Sequence, residues 1–237
     1  MKRALTITKK ELHTFFKSPV AYITISVFTL INAWFFIMPF FSTGNASLSN
    51  LFKSMQMVFL AYIPVITMGL IARERNNGTI EILMTMPVKS IEIVLGKYFF
   101  AISVLLVSIL LTLVHFLTVV IFGSNLDYGV IFSSYLGVFL IGAVYSAIGI
   151  FTSSISNNQI IAFMLSFVIS LILFFMEYAL IFIPANLLPV FQYLSITWQY
   201  SNLAKGVIDS RVLIYFLSII SLFLYLSNLT LSSKKSI

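Results

Sequence analysis

The chain has 237 residues, of which 60% are hydrophobic and only 9% are charged. Soluble domains are about half apolar and about a quarter charged, so this composition, with a mean hydropathy of +1.06, indicates an integral membrane protein. The absence of cysteine from the sequence excludes disulfides, thiolate metal sites and cysteine nucleophiles. The net charge of +7 comes from Lys and Arg beside apolar segments, where membrane topology and anionic lipid explain it, so nucleic acid is not an expected partner.

Six uninterrupted apolar segments cover most of the chain. Each is long enough to cross a hydrocarbon core of about 30 Å as a helix, and each is apolar on every face, unlike the alternating strands of membrane barrels. The sequence therefore predicts an all-α integral membrane protein with six transmembrane helices, at residues 19–41, 54–72, 98–122, 131–151, 159–183 and 212–231. Too few residues remain for a second soluble domain, so residues 1–237 are expected to form a single transmembrane domain.

Basic residues are distributed unevenly between the two sides of this predicted bundle. Eleven of the 14 Lys and Arg residues precede the first span, lie between the second and third spans, or follow the sixth. The other three, Lys53, Lys205 and Arg211, lie on the opposite side. The positive-inside rule therefore predicts a multi-pass protein of the cell (inner) membrane with both termini cytoplasmic.

Residues 1–18 precede the first span. Their apolar side chains fall on one side of a helical wheel and their basic side chains on another, which predicts a cytoplasmic helix lying along the membrane interface. A frayed basic tail is the alternative interpretation of this stretch.

The two long connections between spans differ in character. Residues 73–97 are predicted to be cytoplasmic and carry seven of the 21 charged residues of the chain. Residues 184–211 are predicted to face outward but are mostly apolar, which favours short re-entrant helices at the outer interface.

The charged connection contains a predicted turn followed by a short helix. Asn77-Gly78 supplies the turn, Thr79 is a suitable N-cap, and Pro87 ends the helix after about two turns. The apolar residues of this helix recur at helical spacing: Ile80, Leu83 and Met84. Such an exposed apolar face predicts either docking into a cytoplasmic protein or burial among lipid head groups.

The segment from Glu74 to Lys97, ERNNGTIEILMTMPVKSIEIVLGK, resembles the cytoplasmic loop of ABC-2 type transporter permeases. In that loop an acidic-basic pair, Gly-Thr, a Glu and a short apolar run ending in Pro precede a Gly-Lys before the third span. Residues 9–19, Asn158-Gln159 and residues 206–211 are similar to segments of the gliding-motility-associated permease subfamily. The resemblance extends over essentially the whole chain.

This resemblance implies a type V exporter-like permease fold and a dimeric pore, formed by two copies of the chain or by the chain and a second permease. It implies a separate P-loop ATPase subunit that carries ATP and Mg, and it allows an auxiliary membrane protein as a further partner. Residues 79–86 would be the helix that docks into the ATPase. The residues that the resemblance assigns to this coupling are Glu74, Arg75, Gly78, Thr79, Ile80, Glu81, Leu83, Met84 and Pro87.

The chain itself is not expected to be an enzyme or to hold a cofactor. Gly96-Lys97 is followed by Tyr98 and lacks the upstream glycine of a phosphate-binding P-loop, so ATP hydrolysis belongs on a partner chain. Two His and no Cys fall short of a dedicated zinc site.

Two ionisable residues lie deep in the predicted spans. Glu177 in the fifth span lines the translocation path in one interpretation, and is a snorkelling or dimer-interface acid in the other. His115 in the third span lies at a similar predicted depth, so the two could pair. In the fourth span, small residues from Gly142 to Gly149 at i and i+4 spacing predict a close helix-packing face, within one protomer or across a dimer.

The function expected from these features is that of the permease subunit of an ABC exporter, coupled through its cytoplasmic loop to a separate ATPase. The alternatives are an ion-coupled secondary carrier and a non-transporting membrane scaffold of a motility or secretion complex. An intramembrane protease is disfavoured, because the spans offer no second acid beside Glu177. The long aromatic spans favour an amphipathic or lipid-like cargo over a small ion.

Overall fold

The computed structural model describes residues 2–43, 48–79, 88–122, 127–184 and 186–233. Those residues form eleven α-helices and one short 3-10 turn, without a strand, so the predicted all-α fold is confirmed. The helices are α1 (Lys2–Lys17), α2 (Pro19–Thr43), α3 (Ser49–Thr67), α4 (Gly69–Asn76), α5 (Ser90–Leu111), α6 (Leu113–Phe122), α7 (Tyr128–Ile155), α8 (Gln159–Ala179), α9 (Leu188–Leu194), α10 (Ile196–Leu203) and α11 (Ser210–Ser232), with the 3-10 turn at Leu180–Phe182.

Within the described ranges, six helical segments are long and apolar enough to cross a membrane, as predicted. They are Pro19–Pro39, Ser49–Asn76, Ser90–Phe122, Tyr128–Ile155, Gln159–Phe182 and Ser210–Ser232. The second segment combines α3 and α4, and the third combines α5 and α6. Several helices begin before the apolar runs that predicted them. The third span, for example, begins at Ser90 and not at residue 98, because its first turns include polar residues that an apolar run leaves out.

Three of these helices begin at a side chain that accepts hydrogen bonds from the first backbone N–H groups. Asp127 occupies this position before α7, Asn158 before α8 and Asp209 before α11. Each cap satisfies one or two of the four N–H groups that have no partner within a helix start, which favours beginning the span at that residue.

Helix α7 is the centre of the bundle. In its apolar stretch, 83% of the residues are buried, compared with 17% in the segment that contains α8. A β-carbon on Gly142 would lie 2.6 Å from Leu105 of α5, and one on Gly149 would lie 2.0 Å from the Thr67 hydroxyl of α3. The small residues predicted to form a packing face therefore admit neighbouring helices of the same chain.

The bundle has two distinct ends. We call the basal end the one that holds α1, α4, the start of α5 and the last turns of α7 and α11; there the hydroxyls of Ser154 and Thr230 are hydrogen bonded at 2.7 Å. We call the distal end the one that holds α9, α10 and the first turns of α7 and α11. At the distal end the Tyr215 hydroxyl donates to the Leu194 carbonyl oxygen at 2.6 Å.

The connection between α8 and α11 folds back onto the bundle. It contains the two short helices α9 and α10. Ile196 and Leu203 of α10 are fully buried, and the Thr197 hydroxyl donates to the Phe174 carbonyl oxygen of α8 at 3.1 Å. Its apolar composition thus reflects packing against α7 and α8, and this packing forms one wall of the groove described below.

Candidate functional site

A buried lysine joins three elements at the basal end. Lys97, on the second turn of α5, is only 1% exposed. Its Nζ lies 2.9 Å from Glu74 Oε1 of α4 and 3.4 Å from Glu11 Oε1 of α1. It also donates to the backbone carbonyl oxygen of Leu70. A buried ammonium requires such partners, because leaving it unpaired would cost several kcal/mol of desolvation. We call Lys97, Glu74 and Glu11 the basal ion cluster.

Helix α1 is fixed to α5 by close backbone contact beside this cluster. The Thr8 hydroxyl donates to the Gly96 carbonyl oxygen at 2.9 Å and is also 3.0 Å from that of Ala4. A β-carbon on Gly96 would lie 2.8 Å from the Ile7 β-carbon, so the two helices approach this closely only with glycine at position 96. The helix predicted in residues 1–18 is therefore present and is docked on the bundle.

The second span is interrupted at Met68, and Ser153 of α7 satisfies the interruption. The Ser153 hydroxyl donates to the Met68 carbonyl oxygen at 2.9 Å and accepts from the backbone N–H groups of Ile71 and Ala72, each at 3.0 Å. One side chain thus serves both sides of the helix break. The position and direction of α4, which carries Glu74, depend on this contact.

The basal end of α4 leads into the predicted coupling segment through a tight turn. Gly78 has a φ of +68°, in the left-handed region that favours glycine, which confirms the turn predicted at Asn77-Gly78. The Gly78 N–H donates to the Arg75 carbonyl oxygen at 3.1 Å, and the Thr79 hydroxyl donates to that of Glu74 at 3.1 Å. Five residues predicted to couple to the ATPase lie outside the described residues: Ile80, Glu81, Leu83, Met84 and Pro87.

Two predicted coupling residues have polar atoms that lack a hydrogen-bond partner. The Nη1 and Nη2 atoms of Arg75 and the Oε2 atom of Glu74 are inaccessible to solvent and form no hydrogen bond with any residue that the structure describes. A guanidinium without an acceptor is costly, and it is suited to a carboxylate in the fork geometry that Arg favours. Arg75 thus has hydrogen-bonding capacity available beside the coupling segment.

A groove of about 1410 Å³ lies in the distal half of the bundle, between α2 and α3 on one side and α8 and α10 on the other. Its walls are mainly large apolar side chains, including Trp34, Phe35, Met38, Phe174 and Phe175. Three charged residues also line it: Lys53 of α3, Glu177 of α8 and Lys205 after α10. We call this feature the distal groove.

The neutral phenol of Tyr200 supports one wall of the distal groove. Tyr200 of α10 is hydrogen bonded to Gln56 of α3 and to Ser134 of α7, and its burial raises the pKa of the phenol to about 12. The phenol therefore stays protonated at physiological pH. These bonds attach α10 to two membrane helices at once.

The two ionisable residues singled out in the spans lie in different surroundings. The Glu177 side chain lines the distal groove, whereas the His115 ring on α6 stacks on Phe36 of α2 with ring centroids 4.9 Å apart. His115 Nε2 is buried and has no hydrogen-bond partner in the part of the chain that the structure describes. No hydrogen bond or ion pair joins Glu177 to His115 among the described residues.

Sequence reasoning did not single out Lys97, Glu11 or Ser153 as site residues. The charge distribution predicts Lys97 to be a basic residue flanking the third span. The apolar run Ile93-Val94-Leu95 just before it is the signal that the helix is already buried where Lys97 occurs. Nothing in the sequence distinguishes Ser153 from its polar neighbours.

The family comparison agrees with the architecture. A family model described as ABC-2 family transporter protein matches residues 5–236, which is nearly the whole chain. A search of curated proteins finds no match. With six membrane-length helices in the described residues and this match along its length, the chain belongs to the ABC-2 family of transporter membrane proteins.

Proposed function

We propose that the chain is the permease subunit of an ABC exporter in the cell inner membrane, acting as a homodimer or with a second permease. A separate P-loop ATPase, holding ATP and Mg, would drive it. In this proposal the basal end faces the cytoplasm, because nine of the twelve Lys and Arg residues that the structure describes belong to that end. The similarity of residues 9–19, 158–159 and 206–211 to gliding-motility-associated permeases supports membership of that subfamily as part of the proposal.

The basal ion cluster is the observation that carries this proposal. The coupling segment, residues 79–86, begins directly after the turn at Gly78, five residues beyond Glu74. An ATPase that moves this segment would move α4, and the ion pairs of Lys97 would transmit that movement to α1 and α5. Packed, charge-paired elements move together because breaking the pair exposes an unpaired buried charge. This link gives ATP hydrolysis a mechanical path into the bundle.

Arg75 provides a second contact for the ATPase. Its guanidinium N–H groups, which have no partner among the described residues, would donate hydrogen bonds to a carboxylate of the partner, next to the apolar face predicted at Ile80, Leu83 and Met84. We assign the distal groove, with Glu177, to the translocation path. The faces of α2 and α8 beside it are the least buried of the six spans, and so are available to a second permease.

Co-purification tests the proposal. The tagged protein is isolated in mild detergent, and a cytosolic P-loop ATPase should be recovered with it. Replacing residues 79–86 by an eight-residue Gly-Ser linker should remove the ATPase and leave membrane insertion intact. The matched control replaces residues 42–49, from the end of α2 to the start of α3, by the same linker, and should retain the ATPase.

The other outcomes separate the alternatives. Recovery of the ATPase with the 79–86 linker would contradict the coupling assignment. An ATPase missing from every preparation, with transport driven by an ion gradient in vesicles, would favour the secondary carrier. Neither ATPase nor transport would favour the membrane scaffold.

A further inference from the structure

The charges of the distal groove do not neutralise one another. Lys53, Glu177 and Lys205 all line it, yet the side chains form no ion pair with each other or with any other described residue. Charges beside apolar walls in a membrane are costly unless they are solvated or paired. Lys53 and Lys205 are exposed and Glu177 is half-buried, so two ammonium groups and one carboxylate along one cavity are open to a ligand and have no partner among the described side chains.

The apolar walls of the groove indicate that the ligand has a large apolar part in addition to a charged end. Aromatic and aliphatic side chains of α2 and α8 form long walls, and the volume of about 1410 Å³ exceeds the roughly 300–1,000 Å³ of ordinary small-molecule sites. Beside a bilayer, the ligand that combines long apolar chains with a charged end is a phospholipid.

We propose that the distal groove binds a phospholipid whose headgroup carries both a phosphate and a primary ammonium. Lys53 and Lys205 would hold the phosphate, and Glu177 would accept hydrogen bonds from the ammonium. A purely anionic headgroup would satisfy the two lysines but would leave Glu177 unpaired and close to a like charge. A quaternary ammonium would pair with Glu177 in charge but has no N–H to donate. Of these three headgroup classes, only the zwitterion with a primary amine offers a partner to all three side chains.

This inference rests on the proposed function only where it names the lipid as cargo, since occupancy of the groove requires no ATPase. An experiment can therefore contradict the lipid site without contradicting the ATPase-coupled permease, and the reverse. Loss of lipid selectivity with the ATPase still co-purifying would overturn the lipid site alone. Selective lipid binding without an ATPase would overturn the coupled transporter alone.

The test measures lipid binding to the purified full-length chain. Delipidated protein is exposed to dioleoyl phosphatidylethanolamine, phosphatidylglycerol or phosphatidylcholine, and bound lipid is counted by native mass spectrometry. We expect phosphatidylethanolamine to bind about tenfold more tightly than either of the others, as charge-assisted hydrogen bonds that only this headgroup completes would give. Equal binding of the three lipids would overturn the proposal.

Variants locate the binding in the groove. Glu177→Gln should reduce the preference for phosphatidylethanolamine over phosphatidylglycerol about tenfold, and Lys53→Gln with Lys205→Gln should weaken binding of both. The matched control is Lys9→Gln with Lys10→Gln, which removes two exposed lysines from α1 at the basal end and should change neither. An unchanged preference in Glu177→Gln would overturn the assignment.

Cross-linking gives an independent measurement on protein that keeps all three charges. The chain has no cysteine, so single cysteines placed at Trp34 and Phe175 report contacts at the groove unambiguously. A phosphatidylethanolamine carrying a thiol-reactive acyl chain should label both positions. Disulfide formation between two copies of the chain at these positions, without lipid labelling, would show that a second protomer fills the groove and would overturn the proposal.

Discussion

Lys97 and Glu74 form an ion pair of 2.9 Å between α5 and α4, at the point where the second span leaves the bundle for the coupling segment. The lysine is buried, while the Glu74 side chain keeps 20% of its surface exposed. The pair thus lies at the border between the packed bundle and the surface that a partner would contact. The pair therefore helps to hold α4, and with it the surface that a partner would contact, against α5.

Lys97→Met should lower both stability and coupling. The change leaves Glu74 and Glu11 without their shared cation, and its cost should fall below the about 3–5 kcal/mol of a fully buried pair, because both carboxylates are partly exposed. The melting temperature in detergent, followed by intrinsic fluorescence, should fall. ATPase co-purification should fall with it.

A control variant and a double variant show whether the effect comes from losing any lysine or from losing the ion pair of Lys97. Lys9→Met removes an exposed lysine of α1 and should leave both readouts unchanged. In Lys97→Met with Glu74→Gln, the combined loss of stability should be smaller than the sum of the two single losses. Additive losses would show that the pair contributes nothing to stability.

The six spans were predictable because the apolar runs alone determine them. The charged connection predicted at 73–97 is shorter in the structure, because residues 73–76 belong to α4 and residues 90–97 form the start of α5. Lys97 was different, because its burial depends on α1 and α4 packing around it. Distant segments place those elements there, and no local pattern records the contact.

The residues that line the distal groove were likewise not predictable from the local sequence. Glu177 stood out in the sequence as the one acid deep in a span, but Lys53 and Lys205 were read only as outward-facing basic residues. They line the same cavity because α10 folds back against α7 and α8. A chain reversal over residues 184–211 brings these charges to one groove, and apolar composition predicts the helices without predicting where they pack.

Ser153→Ala should destabilise the break in the second span. The hydroxyl serves the Met68 carbonyl oxygen and the N–H groups of Ile71 and Ala72, so its removal leaves buried backbone groups unsatisfied, at about 1–3 kcal/mol. The unfolding midpoint in a denaturant titration should shift accordingly. Ser103→Ala is the control, because its hydroxyl donates only within its own helix, to the Phe99 carbonyl oxygen, and should shift the midpoint little.

Gly149→Ala should overpack the contact between α7 and α3. The new β-carbon would lie 2.0 Å from the Thr67 hydroxyl, and forcing the helices apart should cost about 1–3 kcal/mol. Thr67→Ala in the same chain removes the hydroxyl and should restore part of the loss, since the residue 67 β-carbon still lies 2.8 Å from the new methyl group. Thermal unfolding of both single variants and the double variant measures this, and no rescue by Thr67→Ala would contradict the contact.

Gly78→Pro should separate the coupling segment from α4 without disturbing the spans. Proline fixes φ near −65°, whereas Gly78 has a φ of +68°, so the turn cannot form and residues 79–86 should be presented in another direction. Membrane insertion should be unchanged, while ATPase co-purification and ATP-dependent transport are lost.

Gly206→Pro is the matched control, because Gly206 also has a positive φ, of 87°, but lies at the distal end after α10. It should cost stability through the same backbone strain and still retain the ATPase. Equal loss of the ATPase in both variants would show that general destabilisation, and not the direction of the coupling segment, governs the association.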